Sequence, residues 1–341
     1  MIPGMDARPR ADRLHALLER FGEQRIAVVG DLALDEYVHG RTARISREAP
    51  VLILRHVGGE QHPGCACNAA RNVAALGGAA LAVGDLGDDD AGHTLRRLLS
   101  ACGVDCRGVV VAPGGTTWRK TRFLAGDLHT VLQQVMRLDR EPDLERGPAH
   151  SKALQAALER ALEDATGVLL CDYGGGVLEA GLRRRALETA SRRGIPVVAD
   201  SRYALHEFTG VTCATPNETE IEPLVGCKLE DDAAVEAAGE ALRRRLEAAS
   251  LVVTRGKLGM TVFDGGRPRH LAAFGNEAKD VAGAGDTVAA SVALALAAGG
   301  SVHDAAQLAN YAASRVVMVR GTAVTSRDEV RACLERDRSL D

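Results

Sequence analysis

Residues 168–200 read VLLCDYGGGVLEAGLRRRALETASRRGIPVVAD. The apolar runs 168–171 and 196–199 are each followed by an aspartate, and the segment 180–193 between them has the periodicity of a helix. Short apolar runs flanked by helical patterns are typical of parallel strands that are buried on both faces. The stretch therefore predicts a strand–helix–strand unit within a parallel sheet.

The same alternation continues on both sides of this unit. Apolar runs at 26–29 and 251–253 predict further strands, and helical periodicity at 150–165 and 231–249 predicts further helices. Ligands of such sheets bind beyond the carboxyl ends of the strands, so we expect the polar residues that follow the runs to meet at one edge. These residues are Gly30, Asp31, Asp172, Asp200 and Thr254.

Two stretches in the first third of the chain interrupt the alternation. Residues 51–54 are apolar with no helix before them, and 116–131 mix β-branched with polar residues. We interpret them as a small β-rich lid, with lid segments near 38–58 and 114–135. Since no linker, low-complexity segment or internal repeat divides the chain, the sequence predicts one α/β domain over 1–341.

Composition and charge exclude several classes of protein. The 341 residues are 46% hydrophobic and 26% charged, as in ordinary globular proteins, and the net charge of −4 argues against a nucleic-acid-binding surface. The amino-terminal segment has no apolar core of a signal peptide, and the apolar stretch 288–300 is short enough to be a buried helix instead of a membrane span. The 8 cysteines lack the paired spacing of a zinc site. We therefore predict a cytoplasmic protein with neither nucleic-acid nor membrane partners.

The sequence contains neither a P-loop nor a dinucleotide-binding fingerprint. The best candidate for a phosphate-binding segment is therefore 280–287, Asp-Val-Ala-Gly-Ala-Gly-Asp-Thr. Gly283 and Gly285 allow close approach of a ligand to the backbone, and the free N–H groups at the helix start suit an anion. Asp286, in the first turn, can accept the proton of a hydroxyl that attacks phosphorus. The alternative is a glycine turn followed by an aspartate that merely stabilises the helix start.

Two further motifs supply carboxylate and amide oxygens. Asn217 and Glu220 are three residues apart at a predicted helix start, where they can hold Mg²⁺ directly or through its waters. A helix N-cap with a capping-box glutamate is the alternative interpretation of this pair. Asp31 and Asp35 follow the first predicted strand, and such carboxylates suit the recognition of sugar hydroxyls.

In their order and wide spacing, these residues resemble the ribokinase-like (PfkB) sugar kinases, over residues 25–333. The motifs are Gly283-Ala284-Gly285-Asp286, Asn217-x-x-Glu220 and Pro63-Gly64-x-x-x-Asn68. Within the family the chain most resembles the D-glycero-D-manno-heptose 7-phosphate kinases, chiefly through Ile45-Ser46-x-Glu48-Ala49-Pro50. The resemblance implies a three-layer α/β/α fold with a mainly parallel central sheet and a small β-rich lid.

The resemblance also implies roles for individual residues. Asp286 would be the catalytic base for the attacking sugar hydroxyl, and the implied anion hole for the transferring phosphoryl group consists of Ala282, Gly283, Ala284 and Gly285. The implied contacts to Mg²⁺ and to ATP come from Asn217, Glu220, Thr254, Gly256, Gly259 and Asn310. Asp35 and Asn68 would bind sugar hydroxyls, and Asp280 matches a position that helps to hold a monovalent cation such as K⁺. Lid strands often pair two subunits in this family, which implies a homodimer.

Cationic residues in or near the lid segments predict a substrate that already carries a phosphate, because a phosphate dianion favours bidentate arginine contacts. These residues are Arg44, Arg119, Lys120, Arg122 and, after a strand of the main sheet, Arg202. The predicted reaction is the ATP-dependent conversion of D-glycero-D-manno-heptose 7-phosphate to the 1,7-bisphosphate in heptose nucleotide biosynthesis.

Three alternatives stay open at this point. The cations can simply pair with Asp127, Asp139 or Glu141 at the surface. The enzyme can instead phosphorylate a free sugar or a nucleoside. Finally, the chain can be a weakly active, sugar- or nucleotide-binding member of the family, since Cys65 replaces a usual glycine and Gly175 replaces a usual lysine.

Overall fold

The structure is a computed structural model that describes residues 10–126, 132–275, 279–319 and 321–340. Its helices are α1 (Arg10–Glu19), α2 (Ala66–Ala75), α3 (Asp90–Ala101), α4 (Pro148–Asp164), α5 (Ala180–Arg193), α6 (Glu218–Val225), α7 (Asp232–Arg245), α8 (Ala284–Ala297), α9 (Val302–Val316) and α10 (Arg327–Arg336). Its strands are β1 (Arg25–Gly30), β2 (Leu32–Ile45), β3 (Leu52–Cys65), β4 (Ala79–Gly87), β5 (Asp105–Ala112), β6 (Trp118–Gly126), β7 (Gln133–Arg140), β8 (Gly167–Asp172), β9 (Val197–Ser201), β10 (Cys213–Ala214), β11 (Ser250–Thr254), β12 (Met260–Phe263) and β13 (Arg269–Leu271).

In the described part of the chain the main sheet has nine strands in the order β13-β12-β11-β10-β9-β8-β1-β4-β5. From β11 to β5 the neighbouring strands are parallel, whereas β12 and β13 form an antiparallel edge. Cys171 pairs with Gly30 on one side and with Asp200 on the other, so the carboxyl ends of these strands are level. The predicted gathering of polar residues at one sheet edge is thereby confirmed.

Helices cover both faces of this sheet. Val28 belongs to a buried cluster that includes side chains of α1, α2, α3, α8, α9 and α10. Its neighbours Ala27 and Val29 belong to a second cluster, with side chains of α4, α5, α6 and α7. Because successive residues of a strand point to opposite faces, the sheet lies between two helical layers. The predicted three-layer α/β/α fold with a mainly parallel sheet is confirmed.

The remaining four strands form a second sheet in the order β3-β2-β6-β7, which we call the lid sheet. Only Asp31 separates β1 from β2, so the lid sheet continues directly from the carboxyl edge of the main sheet. Strands β2 and β3, within 32–65, extend beyond the predicted segment 38–58 at both ends. Strands β6 and β7, at 118–126 and 133–140, begin four residues after the start of the predicted segment 114–135 and continue past its end. Part of the second segment, 127–131 with Asp127, lies outside the described residues. Large apolar side chains exposed on the strands of this sheet are Ile45, Leu52, Val57, Val135, Met136 and Leu138.

Helix α1 docks against the carboxyl-terminal half of the chain. Its residues Leu14, Leu17 and Leu18 are fully buried in the first helical cluster. Arg13 donates from Nε and Nη2 to the two carboxylate oxygens of Asp304 on α9, at 2.9 and 3.0 Å. A bidentate, partly buried pair of this kind fixes the orientation of α1 on α9.

The predicted apolar helix at 288–300 corresponds to α8, most of whose residues are buried inside the protein. Among the residues that the structure describes, no helix is both long enough and apolar enough to span a membrane.

Candidate active site

The start of α8 lies at the carboxyl edge of the main sheet, where its first turn has free backbone N–H groups. Gly283 caps the helix with a φ of 76°, and a Cβ at this position would lie 2.7 Å from Asn68 Nδ2. Both facts require glycine here, since this φ is costly for other residues. A Cβ at Gly285 would meet none of the described atoms within 4 Å, so this residue faces open space. The free N–H groups of the first turn can therefore reach an anion.

Asp286 lies in this first turn and is 7% exposed. The Tyr173 hydroxyl donates to its Oδ1, and Asn68 Nδ2 donates to its Oδ2 at 2.6 Å. Burial raises the pKa of Asp286 to about 6, against the opposing effect of the two hydrogen bonds. A carboxylate with a pKa just below neutrality combines ionisation at pH 7 with enough basicity to take a proton, as a general base requires.

A cavity of about 670 Å³ opens in front of Asp286. It brings together eleven of the predicted site residues: Asp35, Lys120, Arg122, Arg202, Asn217, Glu220, Thr254, Ala282, Gly283, Gly285 and Asp286. A second cavity of about 420 Å³ adjoins it, and the two share Lys120, Arg137, Tyr173, Arg202 and Tyr203. The two cavities therefore form one continuous site between the lid sheet and the edge of the main sheet.

The cations of this site differ in their partners. Arg122 Nη1 donates to Asp35 Oδ1 at 2.8 Å, and both side chains are largely buried. Lys120 Nζ donates to Cys65 Sγ at 2.7 Å and lies 4.0 Å from the centre of the Trp118 ring. Within the described ranges no carboxylate lies within ion-pair distance of the Lys120 ammonium group. Burial raises the pKa of the Cys65 thiol to about 12, although the Lys120 charge acts in the opposite direction.

Arg137 is a cation of the site to which the sequence analysis assigned no role. It lies on β7 of the lid sheet and forms an ion pair with Asp139 on the same strand. Arg202 is exposed, and its guanidinium lies 5.9 Å from the Tyr203 ring. The predicted surface pairing with Asp139 thus occurs, but through Arg137, while Lys120 and Arg202 line the cavity.

Asn217 and Glu220 form a complete capping box at the start of α6. Asn217 Oδ1 accepts from the Glu220 N–H at 3.0 Å, and Glu220 Oε2 accepts from the Asn217 N–H at 2.9 Å. The capping interpretation is therefore correct, and the capped residues Asn217 and Glu220 also line the cavity. Burial raises the pKa of Glu220. Burial also raises the pKa of Asp200 well above its usual value, with a further contribution from the charges of Asp286 and Glu220.

Several predicted residues lie away from the cavity wall. Asn310 holds the segment beside β13, since its Oδ1 accepts from the Phe274 N–H at 3.2 Å and its Nδ2 donates to the Ala272 carbonyl at 2.7 Å. A Cβ at Gly259 would lie 2.0 Å from the Leu271 carbonyl oxygen, so this glycine permits two backbones to touch. The others are Gly256, in a short 3₁₀ helix after β11, Ala284, on the first turn of α8, and Asn68, behind Asp286.

Asp280 holds the loop before α8. Its Oδ1 accepts from the Ala282 N–H and its Oδ2 from the Gly321 N–H, both at 2.9 Å. It thereby ties together the two segments that border the start of α8.

Asp31 does not serve as the hydroxyl-binding carboxylate that its position predicted. Its two oxygens accept the N–H groups of Tyr173 at 2.7 Å, Gly175 at 2.9 Å and Val177 at 3.1 Å. A Cβ at Gly175 would lie 2.8 Å from Asp31 Oδ1, so a lysine at this position would require the backbone to move. Asp31 is therefore a loop anchor, and the loop that it anchors carries Tyr173 to Asp286.

Comparison with known proteins agrees with this geometry. A family model described as pfkB family carbohydrate kinase matches residues 23–329. The bifunctional protein HldE of Nitrosococcus oceani is 41% identical over 321 residues, which cover 93% of this chain and 65% of the relative. The chain thus spans about two thirds of the length of the HldE proteins that it matches.

Solved structures share the fold. The ribokinase of Arabidopsis thaliana, complexed with ribose and ATP, superposes with a TM-score of 0.73 at 21% identity, over 92% of this chain and 99% of the ribokinase. The phosphofructokinase-2 of Escherichia coli, in complex with potassium, gives a TM-score of 0.73 at 22% identity, over 92% of this chain and 100% of the other. With its fold, its glycine turn before a buried aspartate and its family match over most of its length, the chain belongs to the pfkB family of carbohydrate kinases, which transfer a phosphoryl group to an alcohol.

Proposed function

We propose that the protein transfers the γ-phosphoryl group of ATP to a hydroxyl of D-glycero-D-manno-heptose 7-phosphate and so forms the 1,7-bisphosphate in heptose nucleotide biosynthesis. The observation that carries this proposal is the pair of cations Lys120 and Arg202, which line both cavities beside Asp286 without a carboxylate partner among the described residues. Such a surplus of positive charge suits a sugar that already bears a phosphate. The 40–41% identity to HldE proteins over most of the chain supports the choice of a heptose.

In this reaction the sugar oxygen forms a bond to the γ-phosphorus while the bond between that phosphorus and the bridging oxygen of ADP breaks. Asp286 takes the proton of the attacking hydroxyl, and its pKa of about 6 leaves it mostly ionised at neutral pH. The N–H groups at the start of α8, beside Gly283 and Gly285, stabilise the negative charge of the phosphoryl group in flight. Asp35, which lines the cavity, binds a sugar hydroxyl in this scheme. Asn68 is fully buried and acts on the sugar side only through its hydrogen bond to Asp286.

The nucleotide lies on the side of the cavity opposite to the lid sheet, along Thr254 and Gly256. Gly259 and Asn310 do not contact the nucleotide in this scheme. They act indirectly, because they hold the backbone of 271–274 beside the nucleotide. Mg²⁺, when bound, neutralises charge on the ATP phosphates.

The residues fit a magnesium ion that keeps most of its waters. The capping box occupies Glu220 Oε2 and Asn217 Oδ1, which leaves Glu220 Oε1 for a water of the ion. In the described ranges no cluster of three or more His, Cys, Asp or Glu side chains is arranged to hold a metal ion. For K⁺ the candidate is Asp280, whose oxygens each accept one N–H and retain further lone pairs.

The proposed assembly is a homodimer through the lid sheet, and the proposed compartment is the cytoplasm. The exposed large apolar side chains of β2, β3 and β7 support the dimer, since such side chains are suited to burial against a second copy of the chain.

A coupled assay of ADP release tests the proposal. The purified protein is offered the heptose 7-phosphate, the same heptose without phosphate, ribose and a nucleoside, each with ATP and Mg²⁺. We expect kcat/KM for the phosphorylated heptose to exceed that for the free heptose by roughly a hundredfold or more, because at least one charge-assisted phosphate contact is lost in the free sugar. Asp286→Asn run in parallel shows whether the ADP arises at this site.

The other outcomes identify the alternatives. Equal activity on free and phosphorylated heptose favours the kinase for an unphosphorylated sugar, and selective activity on a nucleoside favours the nucleoside kinase. ATP binding without ADP release for any acceptor favours the sugar- or nucleotide-binding family member. Each of these results contradicts the proposed heptose phosphate kinase.

A further inference from the structure

The hydroxyl of Tyr173 contacts the carboxylate of Asp286, yet no motif gives this tyrosine a role. We propose that Tyr173 is a positioning residue that holds the Asp286 carboxylate in place and favours its ionised form for proton transfer. The inference rests on the proposed function, in which Asp286 is the base.

Several backbone hydrogen bonds to one carboxylate fix the loop that carries Tyr173. Tyr173 directly follows β8, and its own N–H donates to Asp31 Oδ2 at 2.7 Å. Two more N–H groups of the same loop, from Gly175 and Val177, donate to the Asp31 carboxylate, which is 2% exposed. A buried carboxylate that accepts three backbone donors at once restricts the loop to one conformation. The hydroxyl of Tyr173 therefore reaches Asp286 without a large cost in conformational entropy.

The Tyr173 ring is fixed as well. Lys120 Nζ lies 5.3 Å from the centre of the Tyr173 ring and 4.0 Å from that of the Trp118 ring. A cation over the face of a phenol attracts its electrons and makes its O–H a better donor. Tyr173 thus interacts with Lys120 of the lid sheet through its ring and with Asp286 through its hydroxyl.

The surroundings of Asp286 show why a second donor matters. Burial and the negative charge of Asp35 on β2 disfavour the ionised carboxylate, while Lys120 on β6 and the donors Tyr173 and Asn68 favour it. The other titratable groups that face it are Asp200 on β9, Cys65 at the end of β3 and Cys171 on β8. Without the tyrosine, Asn68 on α2 would be the one remaining hydrogen-bond donor to Asp286 in the described part of the chain.

Tyr173 itself acts as a donor and not as a base. Burial, together with the nearby charge of Asp286, raises the pKa of its phenol well above 10.0. The phenol consequently stays protonated wherever the protein is folded, and its proton remains in the bond to Asp286.

The test is the pH profile of kcat/KM for the best acceptor found in the ADP-release assay. Tyr173→Phe keeps the ring and removes the donor, so the acid limb should move upward by about one pH unit, and the rate at pH 6 should fall roughly fivefold. Tyr311→Phe is the matched control, because it removes a 2.6 Å hydrogen bond from α9 to another carboxylate, that of Asp337 at the end of α10. It should leave the acid limb in place. An unmoved limb in Tyr173→Phe would overturn the proposal.

A second measurement tests the role of Tyr173 even if the protein transfers no phosphoryl group and the proposed function is wrong. Urea unfolding from pH 4.5 to 7.5 is compared for wild type, Tyr173→Phe, Asp286→Asn and the double variant. Tyr173→Phe should lose more stability than wild type as the pH rises, and this extra loss should vanish in the Asp286→Asn background. The same pH dependence in both backgrounds would mean that Tyr173 does not act on the ionisation of Asp286.

Discussion

Replacing Asp286 by asparagine should stabilise the protein in a pH-dependent manner while it removes the base. Burial raises the pKa of Asp286 from 3.8 to about 6, so the folded state binds this proton more tightly than the unfolded state. The free energy of unfolding therefore falls as the pH rises from about 4 to about 6. Since one pKa unit corresponds to about 1.4 kcal/mol, the ionised Asp286 costs about 3 kcal/mol of stability at neutral pH.

Asparagine carries no such cost, because it stays neutral. The difference in unfolding free energy between Asp286→Asn and wild type should grow in favour of the variant by about 2 kcal/mol between pH 4.5 and pH 7.5, which is the part of the linkage inside this window. Changes in hydrogen bonding to Asn68 add an offset that does not vary with pH. Turnover should fall by roughly 10²- to 10⁴-fold, the usual contribution of a general base.

Urea unfolding followed by circular dichroism at four pH values measures this difference. Glu240→Gln is the matched control, because bonds from Arg243 and Arg244 lower the pKa of Glu240 to about 2 and its ionisation is nearly complete throughout the window. The unfolding free energy of Glu240→Gln should differ from that of wild type by an almost constant amount at all four pH values. A difference for Asp286→Asn that is equally flat would refute the assignment of a buried, reluctantly ionised carboxylate at the start of α8.

Three further outcomes follow from the site. Glu220→Gln should raise the Mg²⁺ concentration for half-maximal rate; if instead only the melting temperature falls, the residue is a helix cap and nothing more. Arg202→Ala, at an exposed position, should raise KM for the sugar phosphate and leave KM for ATP unchanged, and an effect on ATP alone would exclude it from the sugar side. Cys65 has a φ of 53°, so Cys65→Gly relieves backbone strain. In chemical denaturation, Cys65→Gly should therefore lower the free energy of unfolding by at least about 1 kcal/mol less than Cys171→Gly does, and equal losses for the two variants would argue against that strain.

The main sheet was predictable because its strands are short, apolar and buried on both faces. The helix predicted at 180–193 coincides with α5, and the runs at 168–171 and 251–253 coincide with the cores of β8 and β11. The lid sheet was harder to delimit, because it lacks this pattern. Every residue of β7, for example, is exposed, so the periodicity that marks a half-buried strand is absent.

In the candidate site, too, some residues could be predicted from the sequence and others could not. Asp286 and its glycines were predictable because a glycine turn and a helix start are local features. Tyr173 and Asp31 were not, because their roles depend on contacts with residues 113 and up to 146 positions away along the chain. Distance in sequence also concealed the anchor role of Asn310, whose partners lie 36 and 38 positions upstream.

The docking of α1 on α9 has a consequence for the newly made chain. Arg13 emerges early from the ribosome, but its partner Asp304 is 291 positions further on. At ordinary rates of translation α1 therefore waits roughly 15 to 60 s before its binding surface exists. During that time Leu14, Leu17 and Leu18 have no core to enter, and they present an apolar stripe to the surrounding solution. A chaperone that binds short apolar segments of nascent chains would find its target on this protein in α1, and release from it would follow the synthesis of α9.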